Sequence, residues 1–175
     1  LVVGCGGLGG YLIELLVRVG IGAIRAVDGD VFEDTNLNRQ LCALHSTVGM
    51  PKVDVVKARI VDINPHCEVT AVQKFYLPEN SDEFRLESFD YIADAIDTVS
   101  AKIDLAVKSQ ELGIPLIACM GTGNKLDPMQ FEITDVSKTS VCPLARIMRK
   151  ECRKRGIDHL KVVYSQEDPI ACTLP

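Results

Sequence analysis

Val53, Val56, Ile60 and Ile63 recur at helical spacing between Lys52 and Ile63, with Pro51 at the first turn, and predict a helix with one apolar face. Glu68 to Val72 follows as a strand. The same alternation runs along the whole chain. Leu1 to Val3 is the end of an apolar strand. Tyr11 to Val19 is a helix that is apolar almost all round and is therefore expected to be buried. Ala23 to Val27 is a short strand. Tyr91 to Ile96 is read as a strand, Ser100 to Leu112 as a helix closed by Gly113, and Pro115 to Cys119 as another strand. Met129 to Thr134 alternates like a half-buried strand, Pro143 to Arg155 is a helix stopped by Gly156, and Lys161 to Tyr164 is a final strand. Strands alternating with helices predict an α/β fold built on a doubly wound, mostly parallel sheet.

The first strand runs straight into Gly4-Cys5-Gly6-Gly7-Leu8-Gly9-Gly10. Gly4, Gly6 and Gly9 satisfy Gly-x-Gly-x-x-Gly between a strand and a helix, the Rossmann-like arrangement. Glycine permits the tight turn and lets backbone amides approach a phosphate, to which the helix N-terminus adds its partial positive charge. The alternative is a purely structural glycine turn. Asp28 follows Gly9 by nineteen residues and ends the second strand, where a carboxylate can accept from ribose hydroxyls. These two features alone suit an NAD-dependent oxidoreductase.

Further residues favour a triphosphate. Arg39, in Asn36-Leu37-Asn38-Arg39-Gln40, is a planar and permanently charged donor suited to phosphate oxygens. Lys52 opens a helix, where it opposes the helix dipole unless an anion lies nearby. Asp97 follows the fourth strand; beside a pyrophosphate a carboxylate repels unless Mg²⁺ lies between, so Asp97 points to Mg-ATP. Each also has a plain structural reading: a surface ion pair for Arg39, a solvated surface lysine for Lys52, a helix cap for Asp97. No Gly-Lys-Ser/Thr occurs in the glycine cluster, which excludes a P-loop enzyme.

Composition narrows the class. Asp and Glu outnumber Lys and Arg by 24 to 19, for a net charge of −5, so the chain is not a globally basic nucleic-acid binder. No apolar run reaches the ~18 residues of a membrane span. The seven cysteines form no Cys-x-x-Cys pair, which excludes a zinc knuckle or a redox dithiol; several lie in apolar runs, as reduced thiols of a cytoplasmic protein do. Charge is also uneven. Lys138 to Lys161 holds eight Lys or Arg and two Asp or Glu. On a helical projection of Pro143 to Arg155, Leu144, Ala145, Ile147, Met148 and Cys152 share one face. Arg146, Arg149, Lys150, Arg153 and Lys154 form a purely basic opposite face, suited to RNA phosphates or simply to solvent.

Taken in order, the Gly4–Gly9 loop, Asp28-Gly29-Asp30, Asn36-Leu37-Asn38-Arg39-Gln40, Gly49-Met50-Pro51-Lys52 and Ala95-Ile96-Asp97-Thr98 resemble the ThiF/MoeB/HesA superfamily, relatives of ubiquitin-activating enzymes. Met120 to Pro128, Ser137 to Ser140, Cys142 to Arg146 and Lys161 to Ser165 look like its tRNA threonylcarbamoyladenosine dehydratase branch. The resemblance implies one adenylating domain over residues 1–175, incomplete at both ends. It implies ATP and Mg²⁺ as cofactors and a homodimer acting on tRNA that carries threonylcarbamoyladenosine, with a sulfur-transfer protein as a further partner. It implies that the carboxylate is adenylated and then cyclised with loss of AMP. Gly4, Gly6, Gly7, Gly9, Asp28, Asp30, Asn36, Arg39, Gln40, Lys52 and Asp97 are then the nucleotide contacts; Arg39, Lys52 and Asp97 are catalytic, and Asp97 is the metal ligand. Loop Gly121 to Asp127 would shape the substrate side. Adenylation of a ubiquitin-like or sulfur-carrier C-terminus is the nearest alternative, with Cys142 as an acceptor thiol. A nicotinamide dehydrogenase and a nucleotide-sensing module remain open at this level.

Overall fold

The computed structural model describes residues 1–170 of the 175; Cys172 lies outside them. Seven strands form one sheet: β1 (Val2–Val3), β2 (Ala23–Val27), β3 (Glu68–Val72), β4 (Ile92–Asp94), β5 (Leu116–Cys119), β6 (Phe131–Asp135) and β7 (Lys161–Ser165). Their order is β3-β2-β1-β4-β5-β7-β6. Every pairing is parallel except β6 with β7, so the antiparallel strand sits at an edge. The chain runs outward from β1 to β3 and then returns to place β4 on the other side of β1. This reversal opens a crevice at the carboxyl ends of β1 and β4, the place where open α/β sheets bind ligands.

Four helices cover the sheet: α1 (Gly9–Arg18), α2 (Lys52–Ile63), α3 (Val99–Leu112) and α4 (Pro143–Lys154). Successive residues of a strand point to opposite faces, and β1 shows the result. Val2 packs with Ile13 and Val17 of α1 and Val53, Val56 and Ile60 of α2. Val3 packs with Leu105 of α3 and Ala145 and Met148 of α4. The core therefore has two halves, one on each face of the sheet.

Two helical expectations need correction. The first helix is not buried all round: Tyr11, Leu15 and Val19 are 48%, 62% and 81% exposed. An outer-layer helix presents only one stripe to the sheet, here Ile13 and Val17 flanked by the half-buried Leu12 and Leu16, so Tyr11, Leu15 and Val19 face away. The outer face of α4 is not purely basic either. Glu151 lies among its cations, and Ile147, expected on the buried face, is 45% exposed.

Candidate functional site

A cavity of about 590 Å³ occupies the crevice between β1 and β4. Its floor is the glycine turn, and its walls come from the segments that follow β2, β3, β4 and β5. The glycines divide into two kinds. A Cβ on Gly9 would lie 1.8 Å from the Gly4 carbonyl oxygen, and one on Gly4 would lie 2.7 Å from the Ala95 oxygen, at a positive φ of 95°. Those two are required by packing of the chain on itself. Gly6 and Gly7 are not, because an added Cβ would meet nothing closer than 3.6 and 3.8 Å. Both line the cavity, and their bare backbone leaves room for a ligand. Gly9 lies behind the floor, outside the lining.

Asp28 fastens the turn to β2. Its Oδ2 accepts from the Cys5 amide at 2.7 Å and its Oδ1 from the Asp30 amide at 2.9 Å. It also lines the cavity, so its remaining lone pairs face the space expected for a ribose. Burial, with a smaller contribution from Asp28, pushes the Cys5 thiol far up and keeps it protonated.

Lys52 is almost fully buried, and its Nζ donates to Asp30 Oδ2 at 2.9 Å. The anion that a lysine at a helix N-terminus demands is thus present in the protein itself. Asp30, expected as a nucleotide contact, spends one carboxylate oxygen on Lys52, and both side chains line the cavity. Arg39 Nη1 donates to the Thr35 carbonyl at 2.9 Å and to Asn38 Oδ1 at 2.8 Å. Its Nε and Nη2 have no partner among the described residues, and the side chain forms part of the wall. Gln40 lies against Gly6, and its Oε1 is buried with no donor among the described residues. An acceptor left bare beside a cavity is a costly arrangement unless a ligand completes it.

Asn36 departs from expectation. Its Oδ1 accepts from the Glu33 amide at 3.2 Å, so it holds the loop that carries Arg39 and is not part of the cavity lining. Asp97 and Thr98 follow β4 at the far wall. Among the described residues no three His, Cys, Asp or Glu side chains gather as a metal site. Mg²⁺ commonly takes one or two carboxylates and completes its shell with phosphate and water, so its binding does not require such a cluster. Asp28, Asp30 and Asp97 are the carboxylates that line the cavity.

Sequence reasoning missed part of the wall. Phe75 follows β3 and covers Gly29 so closely that a Cβ there would lie 2.6 Å from the ring. The usable signal was its place just past the carboxyl end of a parallel strand. Leu144 of α4 was likewise missed; beside it stand Met120 and Gly121 to Asn124, the latter the first part of the loop expected at the substrate side. The Glu167 carboxylate organises this loop by accepting from the Leu126 and Asp127 amides. Cys119 also lines the cavity, but burial raises its thiol pKa, and Cys142 is buried beneath Gly121. Neither is an exposed acceptor thiol.

Residues 1–164 match the ThiF family model. The chain belongs to the ThiF family. Within the ThiF family it is 49% identical over 170 residues to the tRNA threonylcarbamoyladenosine dehydratase of Bacillus subtilis, covering 97% of this chain and 67% of that protein. The crystal structure of the Escherichia coli tRNA N6-threonylcarbamoyladenosine dehydratase with ATP superposes with a TM-score of 0.92 at 37% identity, over 98% of this chain and 74% of that one. The same ThiF enzyme with AMP gives 0.93, over 99% and 74%. The Rossmann-like fold expected from the strand and helix alternation is thereby shown.

Proposed function

We propose that this protein uses ATP to cyclise the threonylcarbamoyl side chain of a modified tRNA adenosine. The observation that carries the reading is the lining of the central cavity: bare backbone at Gly6 and Gly7, with Arg39, Lys52 and Asp97 around it. Backbone amides and cations of this kind suit a polyphosphate. The structural neighbour solved with ATP supports ATP over a nicotinamide.

In the first step a carboxylate oxygen of the substrate attacks the α-phosphorus of ATP. The bond to pyrophosphate breaks, leaving an acyl-adenylate. Arg39 would hold phosphate oxygens with its free guanidinium donors, and Lys52 would offset charge that moves toward the leaving group. Asp97 would hold Mg²⁺, which when bound supplies further neutralisation of the phosphates. In the second step a ureido nitrogen of the same side chain attacks the activated carbonyl. AMP leaves with the original carboxylate oxygen, and the nitrogen loses its proton. The step is intramolecular, so the reaction does without a protein nucleophile; the thiols of Cys5 and Cys119, both raised by burial and protonated, agree with this. A homodimer in the cytoplasm, with a sulfur-transfer protein as an accessory partner, completes the proposal.

The test is incubation of the protein with ATP, Mg²⁺ and tRNA carrying threonylcarbamoyladenosine. Expected are AMP, pyrophosphate and a nucleoside lighter by one water. Pyrophosphate exchange driven by a carrier-protein C-terminus, with none driven by the tRNA, would favour the alternative instead.

A further inference from the structure

A basic helix begins at the wall of the cavity, and the chemistry in the cavity does not use its charges. Leu144, in the first turn of α4, lines the cavity, and Cys142, just before the helix, packs under Gly121. From this wall the helix runs away along the surface with five basic residues and one acidic. Arg146, Arg149, Lys150, Arg153 and Lys154 line a shallow groove of about 340 Å³.

The five cations are not equivalent. Arg149 is tied down, its Nη1 donating to the Thr139 carbonyl at 2.7 Å and to the Thr139 hydroxyl. Lys154 pairs with Glu151 at 2.9 Å, and Arg155 shares the same carboxylate at 2.5 Å. Arg146, Lys150 and Arg153 are exposed and have no carboxylate or hydrogen-bonding partner among the described residues. Their spacing of four and then three places them on one stripe of the helix, about 10 Å long at 1.5 Å per residue. Three adjacent like charges destabilise one another in the free protein, and an anion with repeated charge removes that penalty. The protein as a whole is acidic, so the stripe is a local feature and not part of a basic surface. It also carries no aromatic side chain to stack a base.

Resting on the cyclisation reading, we infer that Arg146, Lys150 and Arg153 bind the phosphate backbone of the tRNA and guide the modified adenosine past Leu144 into the cavity. The interaction is with phosphates and carries no base recognition. None of the three residues lines the ATP cavity.

The experiment measures binding of an unmodified tRNA transcript to the intact protein and to the triple variant Arg146→Gln/Lys150→Gln/Arg153→Gln over a series of salt concentrations. The slope of log affinity against log salt falls by about 0.7–0.9 for each phosphate no longer neutralised, so a decrease of about 2.1–2.7 is expected for the three cations. Affinity should drop at least tenfold at low salt, with ATP binding unchanged. Lys150→Gln alone serves if the triple variant folds poorly, with a slope change of about 0.7–0.9. Lys154→Gln, whose cation is already paired, should bind like the parent. Unchanged affinity and slope in the triple variant would overturn the inference. So would polyglutamate competing as well as tRNA of equal charge, which would assign the stripe to an acidic protein. The readout needs neither ATP nor the modified nucleoside. A protein that binds tRNA through the stripe but forms no AMP would therefore refute the cyclisation reading and leave the stripe intact.

Discussion

Lys102 Nζ lies 2.9 Å from Asp94 Oδ1, and both side chains are fully buried. The pair brackets one residue of the site. Asp94 Oδ1 also accepts from the Ile96 amide at 3.2 Å, while Lys102 donates to the Ile96 carbonyl at 3.0 Å. Asp97 is the next residue, so the pair fixes the turn that carries the proposed metal ligand. Burial pushes the Asp94 carboxyl up, and Lys102 opposes this by attraction and hydrogen bonding. Removal of either partner leaves an uncompensated buried charge. Lys102→Met should cost about 3–5 kcal/mol of stability, whereas Asp94→Leu/Lys102→Met together should cost clearly less. Urea denaturation of the two variants checks this. A loss below about 1 kcal/mol in the single variant would mean that the pair is not structural.

Gly9→Ala and Gly6→Ala should behave as opposites. The first drives a methyl into the Gly4 carbonyl and should destabilise the fold severely. The second meets only ordinary contacts inside the protein and should melt like the parent, yet weaken ATP binding, because Gly6 lines the cavity and its methyl would stand against Gln40, another lining residue. Thermal melting with and without ATP separates the two effects. Equal ATP stabilisation of Gly6→Ala and the parent would remove the glycine floor from the nucleotide site.

Asp97→Asn preserves size and removes only charge. The exposed side chain makes no hydrogen bond among the described residues, so stability should be unchanged while AMP formation falls by about a hundredfold or more. Melting and AMP release on one preparation decide it. A large drop in melting temperature would instead identify Asp97 as a structural cap.

Glu14 on α1 accepts from Arg18 of its own helix at 2.6 Å and from Arg59 of α2. The hydrogen bond from Arg59 is the largest of several effects that lower its carboxyl pKa. A depressed carboxylate pKa adds stability that is present above the ordinary value near 4.5 and lost as pH falls through the lower folded value. Glu14→Gln should therefore cost about 0.5–1 kcal/mol at neutral pH, less at high salt. The difference from the parent should shrink below pH 4.5, where the parent too becomes protonated. A constant difference across acidic pH would rule out the ion pair as its origin.

Much of the fold could be read from the chain because its signals are local. Helix α2 and strands β2 and β3 begin and end where apolar spacing and flanking residues place them. Strand β4 is shorter than expected, because the chain turns off the sheet after Asp94 to form the Ile96–Asp97 turn. The glycine loop, Arg39, Lys52 and Asp97 also stand out in the sequence, since charged and glycine residues just past strand ends are where this fold binds ligands.

Other features depend on residues far apart in the chain. The sequence marks Gly4, Gly6, Gly7 and Gly9 alike, but only the close approach of Ala95 and of the Gly4 carbonyl separates the glycines required by packing from those open to a ligand. Lys52 calls for a nearby anion from its place at a helix start, but only the fold shows that Asp30 supplies one from within the protein. Lys102 reads as one more polar position on a helix, and its burial beside Asp94 follows from how α3 lies on β4. The basic helix is evident in the residue pattern, but which cations are free is not. Thr139 engages Arg149 and Glu151 engages Lys154, leaving Arg146, Lys150 and Arg153 as the stripe. Local patterning determined the elements and the chemistry at their ends; burial and pairing, which need the folded chain, decided which charges are satisfied within the protein and which remain for a ligand.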